Sequence, residues 1–447
     1  MSELTAGSIT KNLWKLAFPM ILGNLLEVVF EIVDLIFVGR LGPEAIAAIS
    51  LSGSILFVIF SGVVGVSVGT TAMVSRYMGA DDKKGATMVA NQSLMVGALI
   101  SLALSVIGLL ISEKALILIG AKGEVLNLAI VYLDTMFIGI TTVVLFYLSM
   151  GIMQGAGDAK TPLKLLAVSN ALNIILDSFL IFGIGPFPFL GILGAALATV
   201  ISRAFCLVAA LYILASGLTY VGITPRNMHV EIGIVKKIIE IGIPSSASLL
   251  IRSMVGVVFI SIVAMYGTVA IATYGIGMRI DSVVLTPIFG IASASSVLVG
   301  QNLGANKFDR AEKTAMRASH LCAIMLGIFA LVFFLGAPHI VEIFTTDNEV
   351  IEMGTRYLRI VVWSYIFSAY GLVLSISMNG AGDTVPPLVA TVISLVVFQL
   401  PTALILSTHI GTNGLWVSIA ISTTVYGIVS MIFFKRGRWK HKKVIVR

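Results

Sequence analysis

Apolar residues recur along this chain in long unbroken runs separated by short polar stretches. Twelve such runs can be marked, at roughly 13–38, 45–72, 87–111, 125–152, 163–184, 191–216, 235–264, 270–297, 313–335, 350–378, 387–408 and 411–434. Each reaches the about 20 residues that a helix needs to cross a bilayer. The strands of a membrane barrel would be shorter and would alternate with a period of two, which these runs do not. Backbone groups in lipid must be satisfied within the element itself. The pattern therefore predicts an all-α polytopic membrane protein with twelve transmembrane helices. Composition points the same way: 58% of residues are hydrophobic and 11% charged, against about 25% charged in a soluble domain. The polar start, Met1–Lys15, leads into a run too long for a signal h-region, so no cleavable signal peptide is expected. Cys206 and Cys322 fall inside predicted spans and read as small apolar residues, not as a disulfide or metal site.

The pattern is written twice. Gln154-Gly-Ala-Gly-Asp158 recurs as Asn379-Gly-Ala-Gly-Asp383, 225 residues later. Tyr77-Met-Gly-Ala80 and Asn302-Leu-Gly-Ala305, Pro19 and Pro244, Gly42 and Gly267, and Pro162 and Pro387 keep the same offset. Gly191-Ile-Leu-Gly194 and Gly411-Thr-Asn-Gly414 follow at 220. The predicted division is an N-lobe at 1–216, a cytoplasmic linker at 217–234, a C-lobe at 235–434 and a basic tail at 435–447. Six spans per lobe give both lobes the same orientation. That predicts two pseudo-two-fold related six-helix lobes with a central cleft as the substrate path. With the amino terminus inside, only Arg40, Lys114, Lys122, Arg356 and Arg359 fall outside, and Arg203, Arg252 and Arg279 lie within spans. The rest of the 29 Lys and Arg residues are at or near the inner side, so both termini are expected in the cytoplasm. The basic tail reads as a segment facing lipid headgroups, and no nucleic acid is expected as a partner.

Charge inside the spans carries the candidate chemistry. Asn24, Glu27, Glu31 and Asp34 are spaced by three and four residues, which makes one polar stripe on the first helix. Acids facing lipid would cost several kcal/mol each, so the stripe must face protein or a water-filled cavity. Asn170, Asn173 and Asp177 share one face of the fifth span. At 1.5 Å per residue, Asp34 and Asp177 lie about 6 and 10 Å below the outer ends of their helices, at similar depth. Two carboxylates close together in low dielectric cannot both ionise easily. Such a pair suits a proton site, or, with amide oxygens, a small cation. Overlaying the halves by 225 puts Glu27 on Arg252, Glu31 on Gly256, Asp34 on Phe259 and Asp177 on Thr402, so the acids belong to the first half. Arg252 and Glu27 are expected to pair across the cleft in one transport state; the other reading pairs Arg252 within its own half, for instance with Asp281. Asp134 and Arg203 are lone charges within spans and read as structural partners of something. The Gly-Ala-Gly-Asp turns follow membrane helices, not strands, which excludes a phosphate-cradling loop. No Walker sequence, His cluster or Ser-His-Asp set is visible, so no enzyme and no cofactor is expected.

Pro19, then Val33-Asp34-Leu-Ile-Phe-Val-Gly39-Arg40-Leu-Gly42, resembles the first-span signature of the multidrug and toxic compound extrusion (MATE) transporters. Gln154-Gly-Ala-Gly-Asp158 and Ala195-Ala-Leu-Ala-Thr199 resemble that family as well, and the resemblance spans all twelve runs. It implies a multi-pass antiporter of the cell (inner) membrane, working as a monomer, that exports organic, often cationic, compounds in exchange for H+ or Na+. It also implies a coupling or Na+ site built from Asp34, Asn173, Asp177 and Thr199. Asn24, Glu27, Glu31, Asn170 and Arg252 would then line the cleft or meet substrate. One branch of the family carries acids in spans 7 and 10; here those spans have no internal acid, which favours resemblance to the DinF-like branch. Neutralising the acids is expected to let span 1 bend at Pro19 or Gly23. A lipid or lipid-linked precursor flippase of related architecture is the alternative reading; it would need a cationic cleft, whereas the acids here favour cations.

Overall fold

The computed structural model describes residues 3–224 and 229–446. The part of the predicted linker at 225–228 thus lies outside the described residues. The described residues contain helices and no strand. Twelve long helices follow one another: α1 (Ile9–Gly39), α2 (Pro43–Gly79), α3 (Lys83–Leu118), α4 (Gly123–Gly155), α5 (Lys160–Phe182), α6 (Ile192–Ala215), α7 (Ile232–Ala264), α8 (Thr268–Gly304), α9 (Phe308–Glu342), α10 (Asn348–Gly380), α11 (Val385–Ile410) and α12 (Thr412–Lys435). The eleven from α2 to α12 are long and apolar enough to cross a membrane. α1, with 31 residues, has the length and carries the three acids. Several helices run past the predicted apolar runs. Hydrophobicity marks only the lipid-facing part of a helix, which continues into polar turns until a cap ends it. At α3 the cap is Asp82, whose carboxylate accepts from the Gly85 N–H at 2.8 Å.

The internal repeat is legible in backbone geometry. Asp81 and Asn306, offset by 225, are the two non-glycine residues with positive φ among the described residues, at 62° and 58°. Both close the turn after a Gly-Ala pair, where a short polar side chain tolerates the left-handed region. Helix contacts repeat too. A Cβ on Gly155 would lie 3.0 Å from the Thr71 carbonyl oxygen, and one on Gly380 would lie 2.2 Å from that of Ser296. In α11 the repeat loosens: Val392–Gln399 is wound as a π-helix. Pro401, two residues past Gln399, has no N–H to close the regular i→i−4 ladder.

The chain forms two compact units. The carboxyl-terminal unit joins the start of the chain, through Ile21, to Pro244–Val444; the amino-terminal unit holds Leu22–Ile243 with the last residues from Ile445. The predicted division at 217–234 would give all of α1 to one half and all of α7 to the other. Instead, the boundaries fall just past Pro19 in α1 and at Pro244 in α7, the two repeat-related prolines. The basic tail also differs from expectation. Trp439 is 1% exposed, stacks on Phe434 with centroids 4.7 Å apart and donates from Nε1 to the Phe434 carbonyl at 2.8 Å. The tail is therefore anchored in a core cluster with Leu374 and Met378. Asp158 caps α5 through the Lys160 and Thr161 N–H groups, both at 3.0 Å. Its repeat mate Asp383 lies 3.9 Å from Lys442 of the tail. Burial pushes the Asp383 carboxyl up from its ordinary range, against the pull of Lys442 and Arg438.

The glycine contacts give a first expected result. Gly380→Ala would drive a methyl into the Ser296 carbonyl, so α8 and α10 must part. A loss of about 1–3 kcal/mol is expected, as for overpacked cores. Gly256→Ala, with nothing within 4 Å of the added carbon, should be neutral or slightly stabilising. Thermal unfolding of the two purified variants checks the contrast.

Candidate functional site: a buried acid pocket in the amino-terminal unit

The pocket is assembled from α1, α4, α5 and α6. α5 presents Asn170, Asn173 and Asp177 on one face, and their exposures are 5%, 1% and 0%. Gly194 lets α6 approach α5 closely: a Cβ there would lie 2.5 Å from the Leu180 carbonyl oxygen. That approach brings Thr199 beside α5, where the Asn173 Nδ2 donates to Thr199 Oγ1 at 3.3 Å. Asn170 Nδ2 donates to the Leu26 carbonyl at 3.2 Å and ties α5 to α1. Asp34, one turn from the end of α1, is within Coulombic range of Asp177. The buried Tyr132 of α4 is within range of both acids.

The Asn170 and Asn173 side-chain amides donate, while several acceptors of the cluster are unpaired. Asp34 Oδ1, Asn170 Oδ1, Asn173 Oδ1 and both oxygens of Asp177 are buried and have no hydrogen-bond partner in the protein. Buried polar atoms are normally paired, and leaving a carboxylate unpaired in low dielectric is costly. A pocket rich in unpaired acceptors lowers that cost by taking up positive charge, either protons on the carboxylates or a cation among hard oxygens. Among the described residues, no group of three or more His, Cys, Asp and Glu has the arrangement of a metal site, so a cation would depend on amide and hydroxyl oxygens as well.

The rest of the predicted stripe divides. Glu27 is half-buried and faces Arg203 of α6: both carboxylate oxygens accept from Arg203 Nη2 at 3.2 Å. Tyr147 donates to the same carboxylate at 3.1 Å. The Arg203 guanidinium, 3% exposed as a residue, lies over the rings of Phe30, Phe146 and Tyr147 at 5.3, 5.4 and 5.6 Å. Glu27 is thus paired with Arg203 within one unit. Arg252 lies over the Tyr426 ring at 5.4 Å, and Asp281 is held by tyrosines, not by Arg252. Glu31 is exposed and Asn24 half-buried. Sequence reasoning missed Tyr132 and the role of Arg203. A lone arginine in an apolar run signals a buried partner, but nothing in its neighbourhood along the chain says which.

Twelve long helices written as an internal repeat, with a buried acid pocket inside one unit, have the architecture of a membrane transporter. The MatE family profile matches residues 19–179 and 244–405, and the chain belongs to that family of membrane transporters. It is 28% identical to the "Probable multidrug resistance protein YoeA" of Bacillus subtilis, over 98% of this chain and 96% of that one. Two solved structures, each 28% identical, cover 99% of this chain and 98% of their own. "Crystal structure of MATE in the bent conformation" matches with a TM-score of 0.92. "Outward-facing conformation of a multidrug resistance MATE family transporter of the MOP superfamily" matches with a TM-score of 0.90.

Proposed function

We propose that this chain is a secondary active antiporter that exports organic, chiefly cationic, compounds and is driven by protons taken up in the Asp34–Asp177 pocket. The observation that carries this reading is the set of buried acceptors without protein donors around Asp177. Asn173 and Thr199 position the pocket, and Asp34 joins α1 to its charge state. The same set favours Na+ as a second reading, because the buried Asn170 and Asn173 carbonyl oxygens are hard ligands without a hydrogen-bond partner. The family relation and the printed names of its relatives support drug-like substrates. The Lys and Arg distribution supports cytoplasmic termini.

Alternating access follows if ion uptake favours one arrangement of α1 over another; an ion shifts such an equilibrium only through different affinity for the two states. Pro19, inside α1, is where the helix passes from one compact unit to the other, and a proline lacks the N–H that would stiffen that point. Purified protein in liposomes, given an imposed proton gradient and separately a sodium gradient, should expel a fluorescent organic cation under the proton gradient. Expulsion under sodium alone would transfer the site to Na+. Flux that ignores both gradients would refute antiport.

A further inference from the structure

The carboxyl-terminal unit has an acid of its own that the pocket above does not use. Asp281 lies in the middle of α8 and is half-buried. Tyr365 donates to its Oδ1 at 2.6 Å and Tyr357 to its Oδ2 at 3.2 Å. The first is a short, charge-assisted bond. Both tyrosines come from α10, one on each side of the 3₁₀ turn Val362–Ser364 that interrupts it. Gly277, one turn before Asp281, makes the room: a Cβ there would sit 2.4 Å from the Tyr357 ring.

The surroundings are aromatic. Trp416 of α12 meets the Tyr357 ring edge-on at 5.1 Å and stacks on Tyr274 at 6.4 Å. Phe259 of α7 packs on Tyr274 at 5.3 Å, and Phe333 of α9 on Tyr365 at 6.4 Å. The titratable groups facing Asp281 are therefore Tyr274 on α8 and Tyr357 and Tyr365 on α10; α7, α9 and α12 contribute uncharged rings. No cation pairs with Asp281 among the described residues. Buried beside these rings, Trp416 Nε1 and Thr273 Oγ1 have no hydrogen-bond partner in the protein.

The repeat gives this arrangement its meaning. Tyr357 is the mate of Tyr132 at the offset of 225, and Tyr132 stands within range of Asp34 and Asp177. Phe259 and Thr402 occupy the places of those two acids. The carboxyl-terminal unit thus has the tyrosine without those two acids, and Asp281 stands on α8 instead.

We propose that Asp281, held by the hydroxyls of Tyr357 and Tyr365, is a second proton-binding group of this transporter, inside the carboxyl-terminal unit. Two O–H donors already point at the carboxylate, so a metal ion would approach against their hydrogens, whereas a proton needs only one oxygen. A proton delivered from water binds one Asp281 oxygen. The acid then becomes a donor, so one tyrosine hydroxyl must turn away or accept. Because the two tyrosines flank the 3₁₀ turn, protonation changes how the halves of α10 are held to α8. The proposal rests on proton-driven antiport, and its test is separate from transport.

The test is acid-minus-neutral infrared difference spectroscopy on the full-length protein in lipid, reading the protonated carboxyl band. Wild type should show a band that Asp281→Asn reduces. The Asp34→Asn/Asp177→Asn variant should keep that Asp281 component. Tyr365→Phe removes one partner of the acid and should move the component to higher frequency, which serves as a second readout if Asp281→Asn folds poorly. Carboxyl bands unchanged by both Asp281→Asn and Tyr365→Phe would overturn the proposal. Loss of proton-driven dye export with the Asp281 band intact would leave it standing and count against the first pocket alone.

Discussion

Asp177→Asn and Asp34→Asn are each expected to lower gradient-driven export at least ten-fold while leaving the protein as stable as wild type or more so. The two halves of this expectation come from one physical fact. Asp177 is fully buried and its two oxygens find no donor in the protein. A charge held that way opposes folding, because transfer of an unpaired carboxylate out of water is unfavourable. Asparagine has the same shape and no charge, and its amide can donate to the neighbouring Asn173 Oδ1, so the fold has nothing to lose. Transport loses the group proposed to change charge during the cycle. Sites where function opposes stability are where such substitutions stabilise. Dye export from liposomes and thermal unfolding of the same preparations measure both halves. Wild-type export by both variants would refute the coupling role. A fall of many degrees in the unfolding temperature would show that the acids are structural instead.

Much of this arrangement was legible in the sequence, for reasons that lipid imposes. A bilayer demands long apolar helices, so the runs stand out, and α1 to α12 each contain one. Helical periodicity put Asn170, Asn173 and Asp177 on one face, and the structure buries all three. The repeat was visible because glycine turns and prolines recur at fixed spacing, and Asp81 and Asn306 show it in the backbone as well. What stayed hidden was pairing across the fold. Glu27 and Arg203 are 176 residues apart, and a stripe of acids does not say which acid meets which base. The π-helical winding of Val392–Gln399 leaves no trace in a uniformly apolar run, apart from Pro401 beyond it. The exchange of α1 and α7 segments between units was hidden for a similar reason, since the apolar pattern runs through Pro19 and Pro244 unbroken. Trp439 looked like part of a charged tail because its neighbours are basic, yet packing decides its place.

The pair Glu27–Arg203 carries the other large expectation. Glu27→Ala should destabilise the protein by about 3–5 kcal/mol, the range for removing one partner of a buried ion pair. The Arg203 guanidinium would be left among Phe30, Phe146 and Tyr147, with the Ser169 hydroxyl at 3.4 Å as its remaining polar contact in the group. Those rings face a cation favourably, but cation–π attraction is worth only about 0.5–2 kcal/mol and does not replace a carboxylate. Arg203→Met should cost less, because the Glu27 side chain is 25% exposed, against 4% for that of Arg203, and can keep part of its hydration. Glu27→Leu together with Arg203→Met should regain most of the loss, since two apolar groups of similar volume leave no charge behind. A double-mutant cycle on unfolding free energies reads this as coupling of at least about 3 kcal/mol for Glu27 with Arg203, at the top of the usual range for residues in contact. Little coupling is expected for Glu27 with Arg252, whose guanidinium lies over Tyr426 in the other unit. The reverse ranking would mean that α1 is held by Arg252 rather than through α6. The consequence reaches transport, because Glu27 lies two turns before Asp34 on the same helix. In the proposed cycle an anchor there would fix the base of the segment that carries Asp34, so a change in the charge of Asp34 would act on a helix already held two turns below it.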